Sequence, residues 1–320
     1  MSHQVHTMAY QGQTPWHGLG NQLSPKQPLE IWAQQAGMDW SIESSPVQFI
    51  TGEHHLGALG EYPDKRVLYR SDTHQPLSVV SNRYKVVQPL EILEFYRDLT
   101  EQAGFELETA GVLKEGRKLW ALARTGQSMT LASNDITHGY VLLATACDGT
   151  MATTAQFTSV RVVCNNTLAI ALGKDGQAIK VRHSTDFDSN KVKQQLGIAI
   201  SDWDDFQYRM KTLSHRSIRP QEAYRFIEQV LSTSTSTSAP SSQSLDRNKA
   251  QILSLYQGGG RGSSLSSADG TAFGLLNAVT EYVDHSRRAR TADNRLDSAW
   301  FGQGANIKQT AFSEAMALVA

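Results

Sequence analysis

Apolar positions recur along this chain with two different periods. Val192, Leu196, Ala199, Trp203, Phe206, Met210 and Leu213 follow one another in steps of 4 and 3. That spacing paints one stripe on a helix and predicts a rod packed lengthwise against a neighbour. Leu90, Leu93, Tyr96, Leu99 and Ala103 repeat it between Pro89 and Gly104. Proline opens a helix and glycine closes one, so a helix is predicted over 89–103. Residues 40–50, 66–80, 119–124, 140–147 and 151–157 instead alternate or are rich in β-formers, as strands are. Asp148-Gly149-Thr150 reads as the hairpin turn between the last two. The apolar run 160–172, closed by Gly173, has the length of a helix, although Val162, Val163 and Asn165 disfavour one. Further helices are predicted over 28–37, 220–231, 245–256, 269–290 and 305–318.

These elements give an α+β fold: a mostly antiparallel sheet packed with helices, followed by a helical C-terminal region. Residues 1–60 read as a cap anchored by Trp16, Trp32 and Trp40, and 61–231 as the α+β core domain. Residues 232–244, STSTSTSAPSSQS, contain no core former and read as a flexible linker to 245–320.

Composition then excludes more than it assigns. Of 320 residues 40% are hydrophobic and 19% charged, and 30 basic against 31 acidic side chains leave a net charge of -1. A charge coat for nucleic acid is excluded; a local basic groove is not. Cys147 and Cys164 are too few for a disulfide framework or a four-cysteine zinc site. Both sit in apolar runs, where a thiol is buried and inert. No apolar run approaches the roughly 20 residues of a bilayer span, so the expected setting is the cytoplasm, with no membrane partner.

The charge is unevenly distributed. Residues 1–55 carry one lysine and four acids, whereas 207–225 carry five basic residues and one acid. There Arg209, Lys211, Arg216, Arg219 and Arg225 stand beside Tyr208 and Tyr224. Lys114, Arg117, Lys118 and Arg124 lie among the strands, and Arg161, Lys174, Lys180 and Arg182 follow them. Cations for phosphates and rings for bases are what a single-stranded nucleic-acid groove requires. The expected binding set is Arg117, Lys118, Arg124, Arg161, Tyr208, Arg209, Lys211, Arg216, Arg219, Tyr224 and Arg225, and the expected partner is single-stranded DNA or RNA. The loop Gly258-Gly259-Gly260-Arg261-Gly262-Ser263 offers backbone N–H groups to a phosphate. It lacks the Gly-Lys-Ser/Thr ending of a Walker A loop and follows no predicted strand. Asp202, Asp204 and Asp205 are the nearest approach to a two-metal site, but on a helix they read equally as a solvated face. His54 and His55, adjacent on an extended chain, point to opposite faces. No metal and no cofactor is expected.

Four stretches carry a resemblance: VSNRYKVVQ at 80–88, RVVCNNTL at 161–168, NAVTEYVDH at 277–285 and DSAWFG at 297–302. They resemble the phage/plasmid-like proteins that carry the domain of unknown function 932, over about residues 16–317. The resemblance implies a gene that travels on phages, plasmids and integrated elements, and it brings no catalytic residues. In outline, strands at 119–124, 140–147 and 151–157 followed by a helix at 160–172 are also similar to the core of Rad52-like single-strand annealing proteins. That similarity implies action without a cofactor, in rings or filaments. The expectation is a mobile-element DNA-metabolism protein that binds single strands, extending to strand annealing by a homo-oligomer assembled along the 192–213 seam. The alternatives are a metal-dependent enzyme acting on nucleic acid or nucleotides, and a self-assembling structural or regulatory protein.

Overall fold

A computed structural model describes residues 7–12, 20–52, 57–164, 166–169, 178–200, 203–233 and 242–320. Along the chain run β1 (Met8–Gln11), β2 (Asn21–Leu23), α1 (Leu29–Gln35), β3 (Ile42–Ile50), β4 (Leu59–Arg70), β5 (Pro76–Ser81), α2 (Pro89–Ala103) and β6 (Glu106–Leu113). Then follow β7 (Lys118–Leu131), β8 (Asp135–Ala146), β9 (Thr153–Arg161), β10 (Asn166–Ala169) and β11 (Ile179–Val181). The helices α3 (Ser189–Ile200), α4 (Trp203–His215), α5 (Pro220–Thr233), α6 (Ser242–Ser254), α7 (Ala272–Glu281), α8 (Ala292–Phe301) and α9 (Gln303–Ala317) complete it.

The large sheet has the order β10-β9-β8-β7-β6-β1-β2, with β11 also paired to β9. Every pairing in it is antiparallel except β1 with β2. Its centre is the β7–β8 pair, where Ala121 faces Leu143 and Leu119 faces Thr145. Residues 139–147 are buried without alternation, because helices cover both faces there. One face takes α2, through Ile92, Leu93, Phe95 and Tyr96. The Tyr96 hydroxyl donates to Ala121 O at 2.6 Å and accepts from Leu143 N at 2.7 Å, so it is satisfied inside the core. On the other face Trp120 meets Trp300 of α8 edge-on at 4.8 Å between ring centroids. The second sheet, β3-β4-β5, is smaller, and β3 and β4 together form a hairpin.

The α2 reading holds to the residue: Pro89 opens it and Gly104 closes it at φ 69°, where a side chain would be strained. Leu90, placed on its apolar face, is instead exposed, and Ile92 and Phe95 are buried. The seam is buried within this chain at Val192, Leu196, Trp203, Phe206, Met210 and Leu213. Trp203 lies so close to Gly139 of β8 that a Cβ there would stand 2.9 Å from its ring. At these six positions the stripe packs within the chain, against the large sheet and α7.

The helix expected over 160–172 is corrected. Residues 153–161 are β9, 162–164 turn, and 166–169 return as β10 with Asn166 opposite Arg161. The pairing of Val160 and Arg161 with Thr167 and Asn166 across the turn wins over the length of the run. The strand-strand-strand-helix outline shared with annealing proteins is thus not built by these residues: the third strand is followed by a fourth.

The helices after residue 242 share the core of the sheet. One cluster of buried apolar side chains extends from Ala9 through Leu143 to Ala315. Within it α7 is buried at each of its 10 residues, its polar Asn277, Thr280 and Glu281 included. Thr271 caps it by accepting from Gly274 N at 3.1 Å. Trp16, His54, His55, Asn165, Gly173, Lys174, Asp202 and linker residues 234–241 lie outside the described residues.

Candidate functional site

The 207–225 cluster folds as α4, a short turn and α5. Tyr208 and Tyr224 are 70% and 50% exposed, unusual for rings of their size. Lys211 and Arg225 are exposed and have no ion-pair partner among the described residues. The other three cations are compensated. Arg209 meets Asp205 at 2.6 Å. Arg216 and Arg219 meet Glu222 at 2.9 and 3.2 Å. The Arg219 backbone N–H, then the Arg219 and Arg216 guanidinium groups, hold the Glu222 carboxyl down at about 2. Two of the five cations, Arg216 and Arg219, thus serve the turn before α5, and a third, Arg209, is paired within α4.

Two members of the expected binding set are removed by burial. Arg161, only 3% exposed, pairs with the fully buried carboxylate of Asp135 at 2.6 Å and donates to Gly262 O at 3.1 Å. Ser267 donates to the same carboxylate at 2.6 Å. Lys118 is 6% exposed and pairs with Asp297, as does Lys114 at 2.6 Å. Arg161 cannot reach a phosphate without abandoning the buried Asp135, nor Lys118 without leaving the partly buried Asp297. Arg124 is half-occupied: it meets Glu108 at 2.9 Å, and Tyr140 donates to the same carboxylate at 2.9 Å. Burial pushes the Glu108 carboxyl up, against the pull of Arg124.

The glycine loop already holds an anion, from its own chain. The Arg261 N–H donates to both oxygens of Glu281, at 3.1 and 3.0 Å. The Ser263 and Leu265 N–H groups are bonded to Gly260 O and Gly262 O. Gly258 and Gly259 and the Arg261 side chain remain exposed. Cys147 and Cys164 are buried, and burial pushes each thiol up to about 12. Among the described residues no group of three or more His, Cys, Asp or Glu is placed to hold a metal.

A second basic surface arises from residues distant in sequence. Lys85 N donates to His183 O at 2.5 Å, and the His183 ring nitrogens lie 3.0 Å from Lys85 O and 3.1 Å from Met151 O. The Tyr84 and His183 rings stack at 4.4 Å, and the Tyr84 hydroxyl donates to Ala146 O at 2.6 Å. Arg66 reaches across to donate to Tyr84 O at 2.6 Å. This knot joins the middle of β4, the segment after β5 and the segment after β11 at one end of the large sheet. Segments 64–66, 83–85 and 180–186 bring six basic residues together against Asp64 and Asp186. Lys85 pairs with Asp186 at 3.1 Å with both side chains in solvent. Lys65, Arg83, Lys180 and Arg182 are exposed and lack an ion pair among the described residues. Arg117, from the expected set, is exposed at the same sheet end, its carbonyl accepting from Cys147 N.

Lys65, Arg66, Arg83 and Lys85 escaped the reading by charge because no window of the sequence contains them all with Lys180 and Arg182. The signal lay in VSNRYKVVQ, which carries Arg83 and Lys85. The other similar stretches meet too, in the interior. Thr167 N and Oγ1 donate to Asp284 at 2.7 and 3.1 Å, Lys308 donates to Asp284 and Thr167 at 2.8 and 2.7 Å, and Trp300 Nε1 donates to Thr167 Oγ1 at 3.3 Å. His285 Nε2 lies 3.2 Å from Asn166 Oδ1. No curated protein and no solved structure matches the chain. The model of a domain of unknown function, DUF932, matches residues 76–300, more than half of the chain and the segment that holds most of both networks; the chain belongs to that family.

Proposed function

We propose that this protein binds single-stranded nucleic acid, with the basic knot around Tyr84 and His183 as the principal phosphate-contacting surface. The observation that carries the reading is the uncompensated charge. Four exposed cations, Lys65, Arg83, Lys180 and Arg182, are drawn to one sheet end in a chain whose net charge is -1. A local cationic surface on a neutral protein suits a polyanion held in place, not a bulk coat. Lys211 and Arg225 with the exposed rings of Tyr208 and Tyr224 form a second, weaker surface on α4 and α5. Binding by charge and stacking needs no resident cofactor, and strand annealing on a mobile element is the role it would serve.

Fluorescence anisotropy with a labelled single-stranded oligonucleotide compares the two surfaces. R83Q/R182Q lowers affinity more than K211Q/R225Q, and both variants keep the wild-type melting temperature because none of the four side chains is buried. Equal, unimpaired binding by R83Q/R182Q overturns the assignment of the knot.

A further inference from the structure

The hairpin of β3 and β4 stands away from the body. Residues 44–46, 48–50 and 61–65 are exposed, on both faces of the ribbon. A two-stranded ribbon in water is at best marginal, yet this one presents Phe49 at 49%, Ile50 at 51%, Leu59 at 65% and Tyr62 at 48% exposure. Apolar surface gathered at the end of an arm marks an interaction site.

The register sorts these side chains. Val47 lies opposite Tyr62 and Phe49 opposite Gly60, so Val47, Phe49 and Tyr62 share one face. The paired positions Val47, Phe49, Gly60 and Tyr62 of that face carry no charge, Glu61 lies on the other face opposite Gln48, and Asp64 comes only beyond this paired stretch. Gly60 is needed there: a Cβ would come within 2.7 Å of the Phe49 ring, which lies over the space the glycine leaves. The Phe49 ring is thereby held on the face it shares with Tyr62.

The root of the arm is the basic knot. Lys65 and Arg66 sit on β4 opposite Ser81 and Val80 of β5, two residues before Arg83. The arm therefore continues a cationic surface into an aromatic one. A charge surface for phosphates joined to rings for bases is the pairing that single strands exploit. We propose that the β3–β4 arm is a base-stacking element, with Phe49 and Tyr62 taking nucleobases of the strand whose phosphates lie at the knot. The proposal rests on the nucleic-acid reading above and adds the residues that grip bases.

The test uses the full chain, with a single-stranded DNA carrying 2-aminopurine, at several salt concentrations. F49A/Y62A weakens binding about five-fold or more at every salt concentration, the equivalent of about 1 kcal/mol for a single stacked base. It leaves the salt slope unchanged, because no phosphate contact is lost, and it abolishes the 2-aminopurine response. Y62F, which keeps the ring, binds as the wild type does. If wild-type protein binds and F49A/Y62A binds equally well with the same 2-aminopurine response, the arm proposal falls and the nucleic-acid reading stands. If wild-type protein does not bind, both fall. If F49A/Y62A alters only the particle mass in light scattering and not the affinity, the face belongs to a second copy of the chain and the proposal is overturned.

Discussion

Lys308 and Asp284 form a pair with almost no access to water, at 5% and 0% side-chain exposure. Replacing Lys308 by methionine keeps the unbranched stem, shorter only by the terminal ammonium, and deletes its charge. The Asp284 carboxylate then loses one partner at 2.8 Å and keeps the two bonds from Thr167. Breaking a buried ion pair from one side costs about 3–5 kcal/mol, because the abandoned charge has no water to turn to. With two of its three bonds intact, Asp284 places the expected loss for K308M near the lower end, about 3 kcal/mol. With an unfolding entropy of about 2.1 cal/mol/K per residue, a chain of 320 residues shifts its melting temperature by about 1.5 °C per kcal/mol, so a fall of about 4–5 °C is expected. D284N/K308M removes both charges and leaves an amide whose oxygen still accepts from Thr167; it recovers to within about 1 kcal/mol of wild type. Urea denaturation of the wild type, both single variants and the double variant closes the cycle. A K308M protein as stable as wild type, or a double variant no better than K308M, would refute the view that this pair clasps the segment after α7 to α9 and β10.

Three further outcomes follow from the packing. In native protein at pH 8 neither Cys147 nor Cys164 reacts with a thiol reagent on the timescale of minutes, and both react after unfolding, since burial holds each thiol near 12; fast modification of either thiol contradicts this. Glu222 has its carboxyl depressed from 4.5 to about 2, so its contribution to the α4–α5 turn is present above about pH 4.5 and is lost as pH falls toward about 2; E222Q should flatten that part of an acid titration followed by circular dichroism, and an unchanged profile counts against it. Gly274→Ala drives a Cβ to 1.8 Å from Ala268 O, a backbone atom, and should destabilise by about 1–3 kcal/mol in urea; a neutral effect would mean the start of α7 can shift.

The sequence reading succeeded where one period dominated. Pro89 to Gly104 announces α2 because proline, stripe and glycine agree. Val160 to Leu172 fails because a short apolar run fits a helix or a pair of strands equally, and the choice depends on Asn166 pairing back to Arg161. The strand β6 and the helix α8 were missed: Gly111 interrupts the apolar end of the first, and α8 has no sustained stripe. The site was less legible than the fold. Arg161 and Lys118 look like surface cations until Asp135 and Asp297 arrive, 26 and 179 residues away. The apparent basic block at 207–225 hides its compensation in Glu222 and Asp205, while the knot at Tyr84 and His183 is assembled from three separate segments. Charge counted in a window cannot register partners brought in by topology.

The central claim is that exposed cations at this sheet end contact the phosphates of a single strand. The most direct test is the salt dependence of oligonucleotide affinity for wild-type protein beside R83Q/R182Q. Each contacted phosphate of a single strand contributes about 0.7 log units of affinity per log unit of salt. Wild-type affinity should therefore fall steeply with salt, and R83Q/R182Q should flatten the slope by about 1.4. Absence of binding at low salt by folded wild-type protein, or identical slopes for the two proteins, would contradict the account.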